Sequence, residues 1–96
     1  MIVITRTPES IKICGHANYA EHGKDIVCSA VSVLWQTLLW SIDELTEDEV
    51  KHTTWPDKTK IKFWNLSEDA QLLIDSFFIG VKAVAMTYPD HVKVVE

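Results

Sequence analysis

The sequence predicts an α+β fold, in which two helices pack on one mainly antiparallel sheet in the element order ββαββαβ. Two observations predict it. Short runs rich in β-branched residues are separated by turn signals, and two longer segments carry apolar residues at three- and four-residue steps. Ninety-six residues, 47% of them hydrophobic, are enough for a single domain over residues 1–96 with one core. Because that core is small, burial of more surface in a homodimer would help its stability.

The first half of the chain begins with a predicted hairpin. Residues 1–6 and 10–15 are its strands, and Thr7-Pro8-Glu9 between them is typical of a turn. A helix is predicted from residue 26 to 42, with Asp25 in the position of an N-cap. Eight residues at helical spacing form its apolar face: Val27, Ala30, Val31, Leu34, Trp35, Leu38, Leu39 and Ile42.

The second half repeats the pattern of two strands and a helix. A turn at residues 55–58 separates a short strand at 49–54 from a half-exposed strand at 60–64, in which lysines alternate with apolar residues. A second helix begins after Ser67, and its first turn is acidic, as the positive end of a helix dipole favours. A last strand is predicted over residues 91–95.

Cys28 falls in the first turn of the first predicted helix. There the helix dipole and the unpaired backbone N–H groups favour an anion, so they favour the thiolate, which is the attacking form of cysteine. The same N–H groups could bind the oxyanion of a tetrahedral intermediate. His16 is suited to act as the base, because histidine gains and loses a proton near neutral pH. The polar, glycine-containing segment of residues 17–24 is expected to loop out and to gate the site.

Other assignments of these residues are open. Cys14 would share a strand face with His16, which makes it a rival nucleophile, and His22 is a rival base. Asp25 caps the helix and could also orient His16. Cys14, His16, His22 and Cys28 have the ligand types of a metal site, but they lack the close pair of cysteines typical of structural zinc sites. The cysteines are also compatible with small buried apolar residues.

The stretch from Gly15 to Ser32 resembles a known family. The run Gly15-His16-Ala17, a short loop, and then Gly23-Lys24-Asp25-Ile26-Val27-Cys28 before small residues and a serine are similar to the motifs of the ribosomal-processing cysteine protease family (Prp). The similarity of element order extends over most of the chain. The resemblance implies that His16 and Cys28 are the catalytic pair and that Asp25 supports them. Substrate-binding positions are expected within the same motifs: Gly15, Ala17, Gly23 and Ser32.

The resemblance also implies an activity. Enzymes of that family remove a short N-terminal extension from ribosomal protein twenty-seven of the large subunit, and related members are encoded by phages. A cysteine endopeptidase with a Cys-His dyad is therefore expected, cutting after an aromatic pair in a ribosomal or phage structural protein, with no metal or organic cofactor. The chain has four tryptophans, more than the family leads us to expect, so its substrate could differ. The alternative is a non-catalytic peptide-binding or assembly factor for such a protein.

Composition limits the other function classes. The net charge is −5, and the lysines are dispersed along the chain, which argues against direct nucleic-acid binding but allows a basic protein partner. No export signal and no apolar run of roughly 20 residues are evident, so we expect a cytoplasmic location and no membrane contact. Both thiols are then expected to be free. His52 and His91 are interpreted as surface histidines.

Overall fold

The computed structural model describes residues 1–96 and confirms the predicted element order. The elements are β1 (Ile2–Thr7), β2 (Ser10–Cys14), α1 (Ile26–Leu45), β3 (Val50–Trp55), β4 (Lys58–Phe63), α2 (Glu68–Thr87) and β5 (Val92–Val95). The strand boundaries differ from those expected by one or two residues, α1 continues to Leu45, and the turn between β3 and β4 shortens to residues 56–57. Ser67 caps α2 as predicted, because its hydroxyl accepts a hydrogen bond from the Ala70 N–H at 3.1 Å.

The five strands form one sheet in the order β3-β4-β2-β1-β5. Neighbouring strands are antiparallel except for β1 and β5, which are parallel, so the sheet is mainly antiparallel as predicted. The register pairs Ile4 with Ile13 and Ile11 with Ile61. These four side chains are almost fully buried, and they form the floor of the core beneath the helices.

Both helices cover the same face of the sheet. Their buried side chains join the strand residues in one hydrophobic cluster, to which α1 contributes Val27, Val31, Leu38 and Ile42, and α2 contributes Ile74, Phe77, Phe78 and Val81. The helices approach each other closely at Gly80. A Cβ atom there would lie 3.0 Å from Cδ2 of Leu34, so a larger residue would require the Leu34 side chain to shift by a few tenths of an ångström.

Each helix is 20 residues long and apolar enough, by length and composition alone, to cross a bilayer. Polar and charged residues interrupt the apolar residues of both helices, so neither contains an uninterrupted apolar run of this length. Helices that pack on a sheet pass the same test. Here each helix buries one side against the core and leaves other apolar residues exposed on its outer side.

Candidate active site

Asp25 is the N-cap of α1, and only 7% of its surface is exposed. Its Oδ1 atom accepts hydrogen bonds from the N–H groups of Val27 and Cys28, both at 3.0 Å, which satisfies two donors that the helix itself leaves unpaired. Its Oδ2 atom accepts from the N–H groups of Tyr19 at 3.0 Å and Ala20 at 3.4 Å. One carboxylate therefore ties the loop before the helix to the start of the helix.

The hydrogen bonds around Asp25 also determine its charge. Burial by itself raises the pKa of this carboxyl, but the backbone N–H groups of Cys28, Tyr19 and Ala20 outweigh burial and hold the pKa below its ordinary value. The side chain is thus an anion at neutral pH, next to the sulfur of Cys28. The N–H groups of Val27 and Cys28 are bonded to Asp25 and are therefore not free for an oxyanion, so oxyanion binding at the helix terminus stays a prediction.

Cys28 lies in the first turn of α1, as predicted, and is half buried. The backbone N–H of Ala17 points to its sulfur, with an N to Sγ distance of 3.4 Å. Such a donor stabilises negative charge on the sulfur. The donor to this sulfur therefore comes from the preceding loop, whereas two N–H groups of the helix terminus are bonded to the Asp25 carboxylate.

Gly15 turns the chain from β2 into this loop. Its φ is +88°, a conformation that glycine adopts readily, and a Cβ atom there would collide with the carbonyl oxygen of Met1. Its N–H donates to the carbonyl of Asp57 at 2.8 Å. The glycine before His16 is therefore required by backbone geometry.

A cavity of about 540 Å³ opens between the loop and the start of α1. His16 and Cys28, twelve residues apart in the sequence, both line it. The other lining residues are Asn18, Ala20, His22, Gly23, Asp25, Ser29 and Ser32. Of the residues expected to bind substrate, Gly23 and Ser32 thus lie in the cavity, while Gly15 and the buried Ala17 lie beside it.

His91 holds the loop from the opposite end of the chain. Its Nδ1 atom lies 2.8 Å from the carbonyl oxygen of Ala17, and its ring packs edge-on against Tyr19, with 5.3 Å between centroids. Tyr88 packs against the same tyrosine at the same distance. The interpretation of His91 as a simple surface histidine is wrong, because it is half buried and bonded to the segment that contacts Cys28.

A family model described as the cysteine protease Prp matches residues 2–93. The chain belongs to the Prp family of cysteine proteases. The match includes the loop, the start of α1 and His91. The resemblance found in the Gly15–Ser32 stretch is thereby confirmed at the level of the family.

Individual Prp proteins agree with this assignment. The ribosomal processing cysteine protease Prp of Mycoplasma genitalium is 28% identical over 97 residues, which cover 100% of this chain and 96% of the relative. Its Bacillus subtilis counterpart is 27% identical over 92 residues, 88% of this chain and 82% of the relative. The crystal structure of S. aureus Prp with a covalently linked product peptide superposes with a TM-score of 0.89, at 20% identity, over 98% of this chain and 95% of that one. That structure supports the fold.

Of the two rival site residues in this Prp fold, only His22 lines the cavity, and Cys14 does not. Cys14 lies on β2, where it alternates with the buried Ile13, so its side chain is on the sheet face opposite the helices and outside the cavity. His22 does line the cavity and stays a rival base. The suggested metal set that includes Cys14 is not assembled, and no group of three or more His, Cys, Asp or Glu residues is placed to hold a metal ion.

Proposed function

We propose that this cysteine protease cleaves with Cys28 as the nucleophile and His16 as the general acid and base. The observation that carries the proposal is that these two residues line one cavity, within the stretch that carries the Prp motifs. Asp25 is proposed to position both, since it caps the helix that bears Cys28 and binds the loop that follows His16.

The proposed reaction is acyl transfer. The sulfur of Cys28 attacks the scissile carbonyl carbon, and His16 donates a proton to the departing amine, which leaves a thioester on the enzyme. His16 then takes a proton from a water molecule as the water attacks the thioester. The tetrahedral intermediate expels the sulfur as thiolate and leaves a carboxylic acid, which loses its proton to solvent, so the thiolate and the protonated His16 are restored. The Ala17 N–H contacts the sulfur, so it would stabilise the thiolate at the start and end of each cycle.

Charge balance strengthens the role of His16. The Asp25 carboxylate beside Cys28 opposes a second negative charge on the sulfur, because like charges at short range repel. A cationic imidazolium from His16 in the same cavity would offset that repulsion. We therefore infer that the thiolate forms as part of an ion pair with His16.

We further propose that the substrate is a ribosomal protein with a short N-terminal extension, namely ribosomal protein twenty-seven of the large subunit. The relatives from Mycoplasma genitalium and Bacillus subtilis are both ribosomal processing proteases. The chain has a net charge of −5, and all fourteen of its acidic residues lie outside the strands, so acidic surface is available to attract a basic protein. A cytoplasmic location follows, since ribosomes are assembled there.

The test is cleavage of a peptide that spans the extension, including its aromatic pair, and the first residues of the mature protein. Mass spectrometry should show a single cut that removes the extension. Cys28→Ala should abolish the cut, whereas Cys14→Ala should retain it. A peptide left intact by the wild-type chain, together with slow alkylation of Cys28 near neutral pH, would indicate a non-catalytic binding module instead.

We also propose that the protein is a homodimer that joins through the outer side of its helices. Each helix exposes three large apolar residues at seven-residue spacing, more than half exposed in every case: Ile26, Val33 and Trp40 on α1, and Leu72, Ile79 and Met86 on α2. Residues seven apart lie along one line of a helix, so these six form two exposed stripes. A second copy of the chain would remove both stripes from water.

A further inference from the structure

Folding gathers the dispersed lysines on one face of the sheet. Strand side chains that alternate with those facing the core point away from the helices, and six of the eight lysines of the chain occupy such positions. We call them the lysine face: Lys12, Lys51, Lys58, Lys60, Lys62 and Lys93. The pairing of Lys12 with Lys60 and of Lys51 with Lys62 places them side by side across three strands.

The charges of the lysine face are not neutralised within the molecule. The ion pairs in the structure involve Arg6 and Lys82, and none includes a lysine of this face. No strand contains an acidic residue, while Glu9 and Asp57 lie in the turns at the strand ends. A chain with net charge −5 therefore carries a cationic surface that lacks an internal partner.

The spacing and the neighbours of these lysines favour a particular ligand. Lys58, Lys60 and Lys62 form a row along β4 at intervals of about 7 Å, and the flanking strands lie about 5 Å away on each side. Trp55 stands at the end of the row, 46% exposed, with the Lys58 ammonium 5.2 Å from its ring centroid. Proteins that bind single-stranded nucleic acid combine a cationic surface for the phosphates with an aromatic ring for base stacking.

We propose that the lysine face binds single-stranded RNA, with its lysines on the phosphates and Trp55 stacked on a base. The lysines are dispersed along the chain but adjacent in space, so their dispersal does not argue against nucleic-acid binding. The surface is separate from the cavity that contains His16 and Cys28, because the helices and that cavity belong to the other side of the sheet. RNA binding is therefore independent of cleavage, and each can fail without the other.

The experiment is titration of a fluorescently labelled twelve-nucleotide oligouridylate with the full chain, followed by anisotropy at 50 to 200 mM salt. The logarithm of the association constant should fall linearly with the logarithm of the salt concentration, with a slope of about −0.7 for each phosphate contacted. Lys51→Gln with Lys62→Gln should weaken binding at 50 mM salt about tenfold or more. The matched control is Lys24→Gln with Lys82→Gln, which removes the same amount of positive charge from the loop before α1 and from α2. This control should change the affinity for the oligouridylate less than about twofold.

A second pair of variants tests stacking. Trp55→Ala should weaken binding roughly tenfold, whereas Trp40→Ala, which removes an exposed tryptophan of α1 on the other side of the sheet, should not. All three positions substituted on this face, Lys51, Lys62 and Trp55, are exposed. Circular dichroism of each variant checks that it is folded. Three results would overturn the proposal: no binding at 50 mM salt, equal losses in the control variants, or equally tight lysine-dependent binding to polyglutamate or phosphatidylserine vesicles.

Discussion

Asp25 performs two structural tasks with its two oxygen atoms. Oδ1 caps α1, and Oδ2 holds the backbone of Tyr19 and Ala20, so the helix that bears Cys28 and the loop that follows His16 share one anchor. The cap was predictable, since aspartate before an apolar helical stripe is a strong local signal. The loop contacts were not, because they depend on how the intervening residues fold back.

An Asp25→Asn substitution separates the two tasks. Asparagine caps helices as well as aspartate does, so its oxygen can still accept from Val27 and Cys28. Its amide group would face the Tyr19 and Ala20 N–H groups, and two donors cannot bond to each other. We expect turnover to fall by up to about 100-fold, through misplacement of the loop, with little change in helical circular dichroism. If helical circular dichroism falls in proportion to turnover, the substitution has disrupted the helix cap as well, which would contradict this prediction.

The pH dependence of unfolding gives an independent check on the same variant. Because the pKa of folded Asp25 is below its ordinary value, the carboxylate stabilises the fold above about pH 4, and this contribution is lost as the pH falls through the folded-state pKa. Asparagine does not titrate. The stability difference between wild type and Asp25→Asn should therefore be largest near neutral pH and shrink below about pH 4 in urea titrations. A difference independent of pH would count against this account.

His16 and His22 both line the cavity, and kinetics can distinguish them. We expect His16→Ala to lower turnover by about 100- to 10,000-fold, the usual contribution of a positioned acid or base, and His22→Ala to cost far less. Steady-state rates of both variants at one pH decide the matter. Equal losses would mean that His22 shares the role or that either change collapses the loop.

At the scale of elements, the loop of residues 17–24 divides into two parts. Its first half is held by Asp25, by the sulfur of Cys28 and by His91. Residues 21–24 are exposed, and the one backbone hydrogen bond that they make outside helices and strands is local, from the Lys24 N–H to the Glu21 carbonyl. Local sequence reasoning predicted a loop here, since glycine and polar residues favour one. It missed the anchor from His91, which lies 74 residues from Ala17 in the sequence.

We expect only the second half of this loop to act as a gate. Hydrogen exchange of residues 21–24 should slow when Cys28→Ser protein binds uncleaved substrate, because a bound peptide would hold them closed. Mass spectrometry of peptides from the loop, with α2 as the internal reference, measures this. His91→Ala should extend fast exchange to residues 17–20 in the free protein. Exchange at 21–24 that already matches the helix cores without substrate would show that the site is preformed.

At the scale of the whole molecule, the sequence predicts the elements better than their arrangement. Periodicity identifies each strand and helix, because it is a local property. The strand order β3-β4-β2-β1-β5, and the parallel pairing of β1 with β5 from the far end of the chain, depend on long-range packing. The lysine face is a consequence of that arrangement, since six lysines that are scattered along the chain alternate with core residues on four of the strands.

The exposed stripes of the helices lead to a prediction about assembly. Helices of 20 residues are about 30 Å long, so two parallel stripes span enough surface to approach the roughly 800 Å² per partner of a stable interface. Ile79→Glu places a charge in the middle of the α2 stripe, where 72% of the side chain is now exposed. A lone buried charge is costly, so we expect this variant to be a monomer in sedimentation equilibrium at concentrations where the wild type is a dimer.

The control for this prediction is Gln71→Glu, which adds the same charge at an exposed position of α2. Position 71 lies about a quarter-turn around the helix from Ile79, away from the stripe, so the dimer should persist. Both variants should keep the wild-type circular dichroism spectrum, since neither residue is buried in the core of the single chain. If the wild type sediments as a monomer, the proposed homodimer is wrong. If both variants remain dimers, the interface lies elsewhere on the surface, and the free edge of β3 becomes the next surface to test.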